Sequence, residues 1–284
     1  MIESISQLDT LRTRVAAWKR DGLRVGFVPT MGNLHAGHFS LVELARTHAD
    51  RVIASVFVNP TQFGPNEDFG RYPRTPEADA QGLQTAGCDA LWLPSVEAMY
   101  PYGVSGAVEL HVPGITDTLD GAARPGHFDG VATVVARLFN QVQADVAVFG
   151  RKDYQQLAVI RHLVRDLAFP LEILAGDTLR ESDGLAMSSR NQYLDEKQRV
   201  ISATIHLLLQ AMADAWCLGN PRRAIEATAT QTLRDAGFVP DYAVVRRPDF
   251  SEPEDGEGGS LVALIAARLG STRLIDNLEF ESAG

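Results

Sequence analysis

Two histidines three residues apart, His35 and His38, close the segment PTMGNLHAGH, which follows a short apolar run and leads into an amphipathic one. Imidazoles at the start of a helix can donate hydrogen bonds to phosphate oxygens and stabilise charge that develops at phosphorus. The unpaired N–H groups of a first helical turn attract anions, and Gly32 and Gly37 permit close approach of the backbone. The segment therefore predicts a phosphate-binding loop. An ordinary strand–helix turn and a two-histidine metal site are the alternatives, although no third metal ligand stands nearby.

A second segment, FVNPTQF, carries neutral amides, and the shorter stretch RPGHF carries a third candidate histidine. In FVNPTQF, Asn59 and Gln62 are amides of the kind that orient a polar substrate, unless the stretch is simply a polar turn. In RPGHF, Arg124 and His127 are candidates for supporting a carboxylate substrate or for ordering a lid.

A third segment, GRKDYQQ, contains Lys152, one of only three lysines among 26 basic residues. A lysine in so arginine-rich a chain suggests that a compact ammonium meets a phosphate there. Asp153 either caps the following helix or orients Lys152 or a ribose. Gln156 lies one turn further along and is placed to face the same cavity.

The fourth segment, DGLAMSSRN, offers two hydroxyls and a guanidinium in succession, Ser188, Ser189 and Arg190. These groups could clamp a triphosphate. The alternative is a serine-rich hinge at a domain junction. No residue in these segments resembles a nucleophile poised for covalent catalysis, since neither cysteine falls in one of them. The four segments together predict an enzyme that binds ATP and uses it to activate a carboxylate.

The composition limits the remaining possibilities. The 284 residues carry a formal net charge of −10 and two distant cysteines, Cys88 and Cys217. A net negative charge disfavours nonspecific binding to nucleic acid or anionic membranes, and so few cysteines favour a reduced, cytoplasmic protein. No apolar run approaches the roughly 20 residues that span a bilayer, and the first ten residues lack the apolar core of a secretory signal. We expect a soluble cytoplasmic protein with no nucleic-acid or membrane partner.

The elements that must position these side chains alternate between strand and helix. Apolar and amphipathic patterns predict strands at 24–28, 52–58, 90–93, 145–149 and 171–174, and helices at 8–19, 38–48, 77–86, 130–141 and 155–166. Pro29 is expected to stop the first strand. This alternation predicts a Rossmann-like, doubly wound α/β domain whose ligand lies beyond the carboxyl ends of the strands.

The pattern changes after about residue 178. Helices are predicted at 195–216 and 222–236, followed by strands at 241–246, 261–267 and 272–277, and the acidic, glycine-rich stretch 252–259 predicts a solvated loop. We therefore expect a nucleotide-binding α/β domain at 1–178 and a smaller α+β domain at 179–284.

Taken together, the motifs resemble those of a known family. PTMGNLHAGH resembles the HIGH motif of the nucleotidyltransferase superfamily, and DGLAMSSRN is similar to the KMSKS-type loop that accompanies it. With FVNPTQF, YPRT (72–75), RPGHF, GRKDYQQ and the late TRLIDN (272–277), they resemble the pantoate–β-alanine ligases, or pantothenate synthetases, over essentially the whole chain.

The resemblance implies ATP-dependent condensation of (R)-pantoate with β-alanine through a pantoyl adenylate, with Mg²⁺ present and AMP and pyrophosphate released. It implies an ATP site made by Met31, Gly32, Asn33, Leu34, His35, Ala36, Gly37 and His38, by Gly150, Arg151, Lys152 and Asp153, and by Leu179, Met187, Ser188, Ser189 and Arg190. The catalytic residues would be His38 as proton donor, His35 at the pentavalent phosphorus, and Lys152, Ser188 and Arg190.

The same resemblance implies that Gln62 and Gln156, with Asn59, hold pantoate, and that the 1–178 domain binds both nucleotide and pantoate while the 179–284 domain acts as a lid. It also implies a homodimer formed through the N-terminal domain. Asp79 matches an acidic position near Mg²⁺, but the preceding residue, often acidic in the family, is Ala78 here.

One position departs more clearly from the family pattern. The family usually has Glu or Gln between the glycine and lysine of GRKD, and this chain has Arg151. We expect its side chain to point away from the nucleotide.

Two other functions are compatible with these motifs. An adenylyltransferase would yield a stable adenylylated product instead of AMP. A non-catalytic nucleotide-binding regulator would bind ATP without releasing pyrophosphate.

Overall fold

The computed structural model of the chain describes residues 2–64 and 67–283. Its contacts group the chain into two units. The N-terminal unit comprises Met1–Arg151 and Gln155–Asp177, and the C-terminal unit comprises Lys152–Tyr154 and Thr178–Gly284. The three residues Lys152–Tyr154 therefore pack with the C-terminal unit, although the chain on both sides of them belongs to the N-terminal one.

The N-terminal unit is built on a six-stranded sheet in which all neighbouring strands are parallel. Its strands are β1 (Glu3–Ile5), β2 (Val25–Thr30), β3 (Arg51–Val56), β4 (Ala90–Trp92), β5 (Val146–Gly150) and β6 (Glu172–Gly176). Their order is β1-β4-β3-β2-β5-β6, so the chain builds outward from β2 on one side and from β5 on the other. This confirms the predicted doubly wound sheet, and its strand order reverses between β2 and β5.

Helices cover both faces of this sheet. They are α1 (Leu8–Arg20), α2 (Ala36–Arg46), α3 (Pro76–Thr85), α4 (Val96–Met99), α5 (Leu119–Ala123), α6 (His127–Val142) and α7 (Tyr154–Asp166). Neighbouring residues of β2 pack in different cores: Phe27 lies in a cluster with residues of α1, α6 and α7, and Val28 in a cluster with residues of α2 and α3. Burial on both faces explains why the central strands are almost continuously apolar in sequence.

The expectation that Pro29 stops β2 is wrong. Pro29 pairs with Ser55 of β3 and Thr30 with Val56, whereas β5 pairs with β2 only at Gly26 and Phe27. The strand therefore has a single hydrogen-bonded neighbour where the proline occurs, and a residue without an N–H group is tolerated there as it is at a sheet edge. The sequence patterns did not predict the short elements β1, α4 and α5.

The C-terminal unit is a three-stranded antiparallel sheet packed on helices. It contains α8 (Glu196–Ser202), α9 (Thr204–Cys217), α10 (Arg222–Asp235), β7 (Val239–Arg246), β8 (Gly259–Leu269) and β9 (Thr272–Ser282), with strand order β7-β8-β9. The odd-numbered residues of β8 from Leu261 to Leu269 join α9 and α10 in one apolar core. This confirms the smaller α+β arrangement that the sequence predicts.

The helix predicted at 195–216 is interrupted. Ala203 closes α8 and opens α9, and the Ser202 hydroxyl donates to the Arg199 carbonyl at 2.7 Å, a bond that competes with the helical ladder. The whole span Glu196–Cys217 is long and apolar enough to cross a membrane by length and composition alone, contrary to the expectation from sequence. Its residues Ile205, Leu209 and Trp216 lie in the core of the C-terminal unit, which is the use made of this apolar surface.

Candidate active site

The loop after β2 is folded around the carboxylate of Asp79. Gly32 and Asn33 have φ angles of 86° and 51°, so the backbone turns sharply here, and N–H groups in a turn can face one concavity that suits an anion. The N–H groups of Asn33 and Leu34 donate to Asp79 at 2.9 and 2.8 Å, and the Thr75 hydroxyl donates to it at 3.0 Å. A Cβ at Gly32 would lie 3.1 Å from the same carboxylate. Part of the predicted anion-binding backbone is thus occupied by a buried side chain of the protein.

The two histidines of this loop begin α2 and bond its first turn. His35 is the N-cap residue, and its Nδ1 accepts the Gly37 N–H at 3.2 Å. The Nδ1 of His38 accepts the His35 N–H at 3.3 Å, and the two ring centroids are 4.1 Å apart. Because Nδ1 is an acceptor in both rings, each neutral imidazole carries its proton on Nε2. The Nε2–H groups are therefore the donors through which these histidines could meet a phosphate.

The turn after β3 holds Gln62 through a buried amide network. Asn59 is 1% exposed. Its Oδ1 accepts the Tyr100 hydroxyl at 2.6 Å, and its Nδ2 donates to the Gln62 Oε1 at 3.2 Å and to the Gly130 carbonyl at 3.1 Å. The Gln62 Nε2 donates to the Met31 Sδ at 2.8 Å. These contacts give Asn59 the role of fixing the Gln62 amide, while a direct contact of either residue with substrate stays a prediction.

Arg124 and His127 bind the backbone of the same turn at the Gln62 carbonyl. Arg124 donates to both oxygens of Glu67 at 2.7 and 2.6 Å and to the His127 Nε2 at 2.8 Å, and the His127 Nδ1–H donates to the Gln62 carbonyl at 2.8 Å. Burial and the Arg124 charge lower the pKa of His127 to about 4, despite the opposing effects of the Gln62 carbonyl, Glu67 and Asp120. Burial raises the pKa of Glu67, but the hydrogen bonds and charge of Arg124 outweigh it and the pKa falls to about 2. The carboxylate that Arg124 holds is thus one of the protein's own.

In the loop after β5, the adjacent cations Arg151 and Lys152 belong to different units. The Arg151 N–H donates to the Gly176 carbonyl at 2.8 Å, and its Nε lies 3.1 Å from Asp177, all within the N-terminal unit. Lys152, which packs with the C-terminal unit, is the more buried, with 18% of its side chain exposed, and its Nζ lies 3.6 Å from Asp153. Of the two glutamines that follow, Gln155 is the buried one and bonds the 115–120 segment.

The segment before Ser188 forms a small hairpin (179–187) in the C-terminal unit. Arg180 and Ala186 form an antiparallel bridge, flanked by hydrogen bonds from Glu181 N–H to the Leu185 carbonyl and from Met187 N–H to the Leu179 carbonyl, at 2.8 and 2.9 Å. Beyond the hairpin, the Ser188 Oγ accepts the Arg190 N–H at 3.3 Å and begins a 3₁₀ turn. The residues predicted to clamp a triphosphate therefore sit on an ordered structure.

Comparison with known protein families identifies the family to which this chain belongs. A family model described as pantoate-beta-alanine ligase matches residues 3–279. The chain belongs to the pantoate–β-alanine ligase family. It is 67% identical to the pantothenate synthetase of Xanthomonas axonopodis pv. citri (strain 306) over 280 residues, which cover 99% of this chain and 100% of the relative.

Solved structures of pantoate–β-alanine ligases are similar over nearly the whole chain. The crystal structure of pantothenate synthetase from Thermus thermophilus matches with a TM-score of 0.90 and 46% identity, covering 98% of this chain and 99% of that one. The ligase from Francisella tularensis, in a structure described as complexed with beta-gamma ATP and β-alanine, matches with a TM-score of 0.82 and 31% identity, covering 98% and 97%.

The described side chains were compared with the ligand sets that hold metal ions in proteins. Within residues 2–64 and 67–283, no group of three or more His, Cys, Asp or Glu side chains is arranged to hold a metal ion. Both oxygens of Asp79 accept N–H or O–H groups of the protein, so the position that the family resemblance assigns to Mg²⁺ is engaged as a structural anion. Asp79 as arranged does not fit a metal ligand, although Mg²⁺ commonly binds through substrate phosphates and water with few protein ligands.

Within each unit, the structure brings predicted residues together. Gln62 meets Met31, and Asp79 meets Asn33 and Leu34, in the N-terminal unit. Sequence reasoning missed the residues that hold them, notably Glu67 and Tyr100. Thr75, which donates to Asp79, lies at the end of YPRT. That motif carried the family resemblance, but the sequence assigned no role to Thr75.

Proposed function

We propose that this chain condenses (R)-pantoate with β-alanine, consuming ATP and producing pantothenate, AMP and pyrophosphate through pantoyl adenylate. The observation that carries the proposal is the full-length match to pantothenate synthetases at 67% identity. The fold supports it, because the loops that bear His35, His38 and Lys152 follow β2 and β5, the two strands that flank the reversal of strand order where doubly wound sheets bind their ligands.

In the first step, a carboxylate oxygen of pantoate attacks the α-phosphorus of ATP, and the bond from that phosphorus to the bridging oxygen breaks to release pyrophosphate. Charge grows on the phosphate oxygens, and donors aimed at it stabilise the transition state more than the ground state. We assign this task to the Nε2–H groups of His35 and His38 and to Lys152, Ser188 and Arg190, with His38 as the hydrogen-bond donor to the leaving oxygen. Residues 31–38, 150–153 and 187–190, with the backbone of Leu179, make up the nucleotide site in this proposal.

In the second step, the amine of β-alanine attacks the acyl carbonyl and loses a proton. The bond from the acyl carbon to the bridging anhydride oxygen breaks, and AMP leaves with that oxygen. Gln62, which the 59–63 turn holds rigidly, and Gln156 orient pantoate for both steps. An acyl-enzyme route is disfavoured, since burial raises the pKa of the Cys88 thiol to about 12 and keeps it protonated.

We propose that ATP enters with Mg²⁺ on its phosphates, where the ion would neutralise charge. Because Asp79 does not fit as a ligand, we assign no protein ligand to the ion and no catalytic step to it. We also propose a cytoplasmic homodimer formed through the N-terminal domain (1–178), with the 179–284 domain acting as a lid. Light scattering after size exclusion would detect a dimer as twice the chain mass.

The decisive experiment measures which substrates each partial reaction needs. AMP should form only when pantoate and β-alanine are both present, whereas exchange of label between pyrophosphate and ATP should require pantoate alone. Exchange that strictly requires β-alanine would refute the adenylate pathway. A stable adenylylated product without AMP would indicate an adenylyltransferase, and ATP binding without pyrophosphate release would indicate a regulator.

Two substitutions test the assigned donors. His38→Ala and Lys152→Ala should each lower turnover roughly 10²–10³-fold, the scale for losing one electrostatic group in a transition state. His48→Ala and Lys197→Ala are matched controls, because both side chains are exposed and lie outside the proposed site. Rates within threefold of the parent for the test variants would refute the roles of His38 and Lys152.

A further inference from the structure

The late motif TRLIDN places two buried polar side chains in β9. Asp276 and Asn277 are 4% and 6% exposed and pair across the sheet with the apolar residues Ile265 and Leu264 of β8. Burying a carboxylate and an amide among apolar neighbours is costly unless both are hydrogen-bonded. Their partners therefore indicate what these residues are for.

Asp276 binds Arg180 at the base of the 179–187 hairpin. Arg180 donates to its two oxygens at 2.5 and 3.1 Å, a bidentate pair that fixes the guanidinium plane. The same guanidinium donates to the Gly184 carbonyl within the hairpin at 3.1 Å and to the Asn277 carbonyl at 3.4 Å. The hairpin that leads to Ser188 and Arg190 is thus tied through Arg180 to Asp276 and Asn277 of β9.

Asn277 binds the backbone of Lys152. Its Nδ2 donates to the Lys152 carbonyl at 2.9 Å, although 125 residues separate the two in sequence. A hydrogen bond to this carbonyl fixes the peptide unit next to the Cα from which the lysine side chain leaves. Asp276 and Asn277 are also bonded to each other, since the Asn277 N–H donates to the Asp276 carboxylate at 2.8 Å.

We propose that Asp276 and Asn277 are positioning residues that hold Lys152 and the hairpin preceding Ser188 in one fixed arrangement within the C-terminal unit. The proposal rests on the proposed function, because it assumes that Lys152 acts on the nucleotide phosphates. One rigid strand then serves two nucleotide-binding segments. Rigid support of this kind matters because a shift of about 1 Å in a charged group can lower a rate by roughly 10²-fold.

The test is the nearly isosteric substitution Asn277→Asp, which replaces the amide donor with an oxygen that repels the Lys152 carbonyl. Turnover should fall about 10–100-fold, while the KM for ATP changes less than about threefold, because the displaced lysine is needed most in the transition state. Asn140→Asp is the matched control: Asn140 also donates to a backbone carbonyl, that of Ala136 at 3.0 Å, but from the exposed side of α6. It should retain the parent rate.

A double-mutant cycle with Lys152→Ala separates positioning from general damage. If Asn277 acts through Lys152, the variant carrying both changes should be no slower than Lys152→Ala alone. Additive losses, or a parent rate for Asn277→Asp beside a slow Lys152→Ala, would overturn the inference and leave the proposed function intact. A parent rate for Lys152→Ala would overturn the inference together with the role assigned to Lys152, whereas the proposed reaction is tested separately by the substrate dependence of AMP formation. Asn277→Ala provides a second route to the same cycle if the buried carboxylate of Asn277→Asp prevents folding.

Discussion

Lowering the pH from 7.5 to 5.0 should destabilise this protein through His127. The imidazole donates from Nδ1 to the Gln62 carbonyl and accepts from Arg124 at Nε2, so a second proton would cost it the Arg124 bond and place two cations side by side. The charged groups that face it are Arg124, Glu67 and Asp120, and burial with Arg124 lowers its pKa from 6.5 to about 4. In the folded protein the ring is therefore neutral throughout this pH range.

The sign and size of the effect follow from linkage. Below pH 6.5 the unfolded chain binds a proton that the folded chain does not, so the stability contributed by the neutral ring is complete above pH 6.5 and is lost as the pH falls toward the folded pKa of about 4. Each pH unit in this interval is worth about 1.4 kcal/mol. Between pH 6.5 and 5.0 the loss should reach about 2 kcal/mol. The lowered pKa of Glu67, about 2 against an ordinary 4.5, affects stability only as the pH falls below that ordinary value.

The assay is urea unfolding of the parent and of His127→Asn at pH 7.5, 6.0 and 5.0. Asparagine can place an amide donor near the Nδ1 position but has no group that titrates here, so the variant should lack this component of the pH dependence. The difference in unfolding free energy between the two proteins should change by about 2 kcal/mol across the range in favour of the variant at low pH. A difference independent of pH would refute the reasoning, as would an NMR titration of His127 with a midpoint near 6.5.

Three further substitutions follow from the geometry. Asp79→Asn should raise the KM for ATP about tenfold and lower the unfolding free energy by about 1–3 kcal/mol, because a buried N–H group of the 29–38 loop loses its acceptor; kinetics and urea unfolding measure both. Arg151→Glu should change the KM for ATP less than about fivefold, and 0.5 M salt should erase most of the change, since Arg151 pairs with the exposed Asp177. Gly130→Ala should destabilise the protein by about 1–3 kcal/mol in urea unfolding, because its Cβ would lie 2.4 Å from the Thr61 carbonyl oxygen.

Apolar patterns predicted the parallel sheet, because a short run rich in β-branched residues, such as VIASVFV, suits a strand that is buried on both faces. It could not predict where strands and helices end. Those bounds depend on neighbours that are distant in sequence, as at Pro29, which β2 retains because β5 no longer pairs with it there. The break between α8 and α9 at Ala203 was likewise not visible in the apolar pattern.

The motifs identified chemically useful side chains but left the direction of their contacts open. RPGHF predicted a guanidinium and an imidazole for a carboxylate substrate or a lid, and in the structure the guanidinium holds Glu67. No local pattern reveals such a pair, because 57 residues separate Arg124 from Glu67 and the attraction exists only after the sheet has formed.

The same reasoning explains why a motif can be recognised before its purpose is known. A charged side chain that acts on a substrate must be held in position by other residues of the protein. These residues are often distant from it in sequence. The Nδ1 atoms of His35 and His38 accept N–H groups close to them in sequence, so both rings are oriented by local contacts. For Lys152, the local contact with Asp153 is joined by a remote one, because Asn277 near the far end of the sequence donates to its backbone carbonyl. The spacing of the histidines was therefore readable from the sequence, whereas the support of the lysine required the fold.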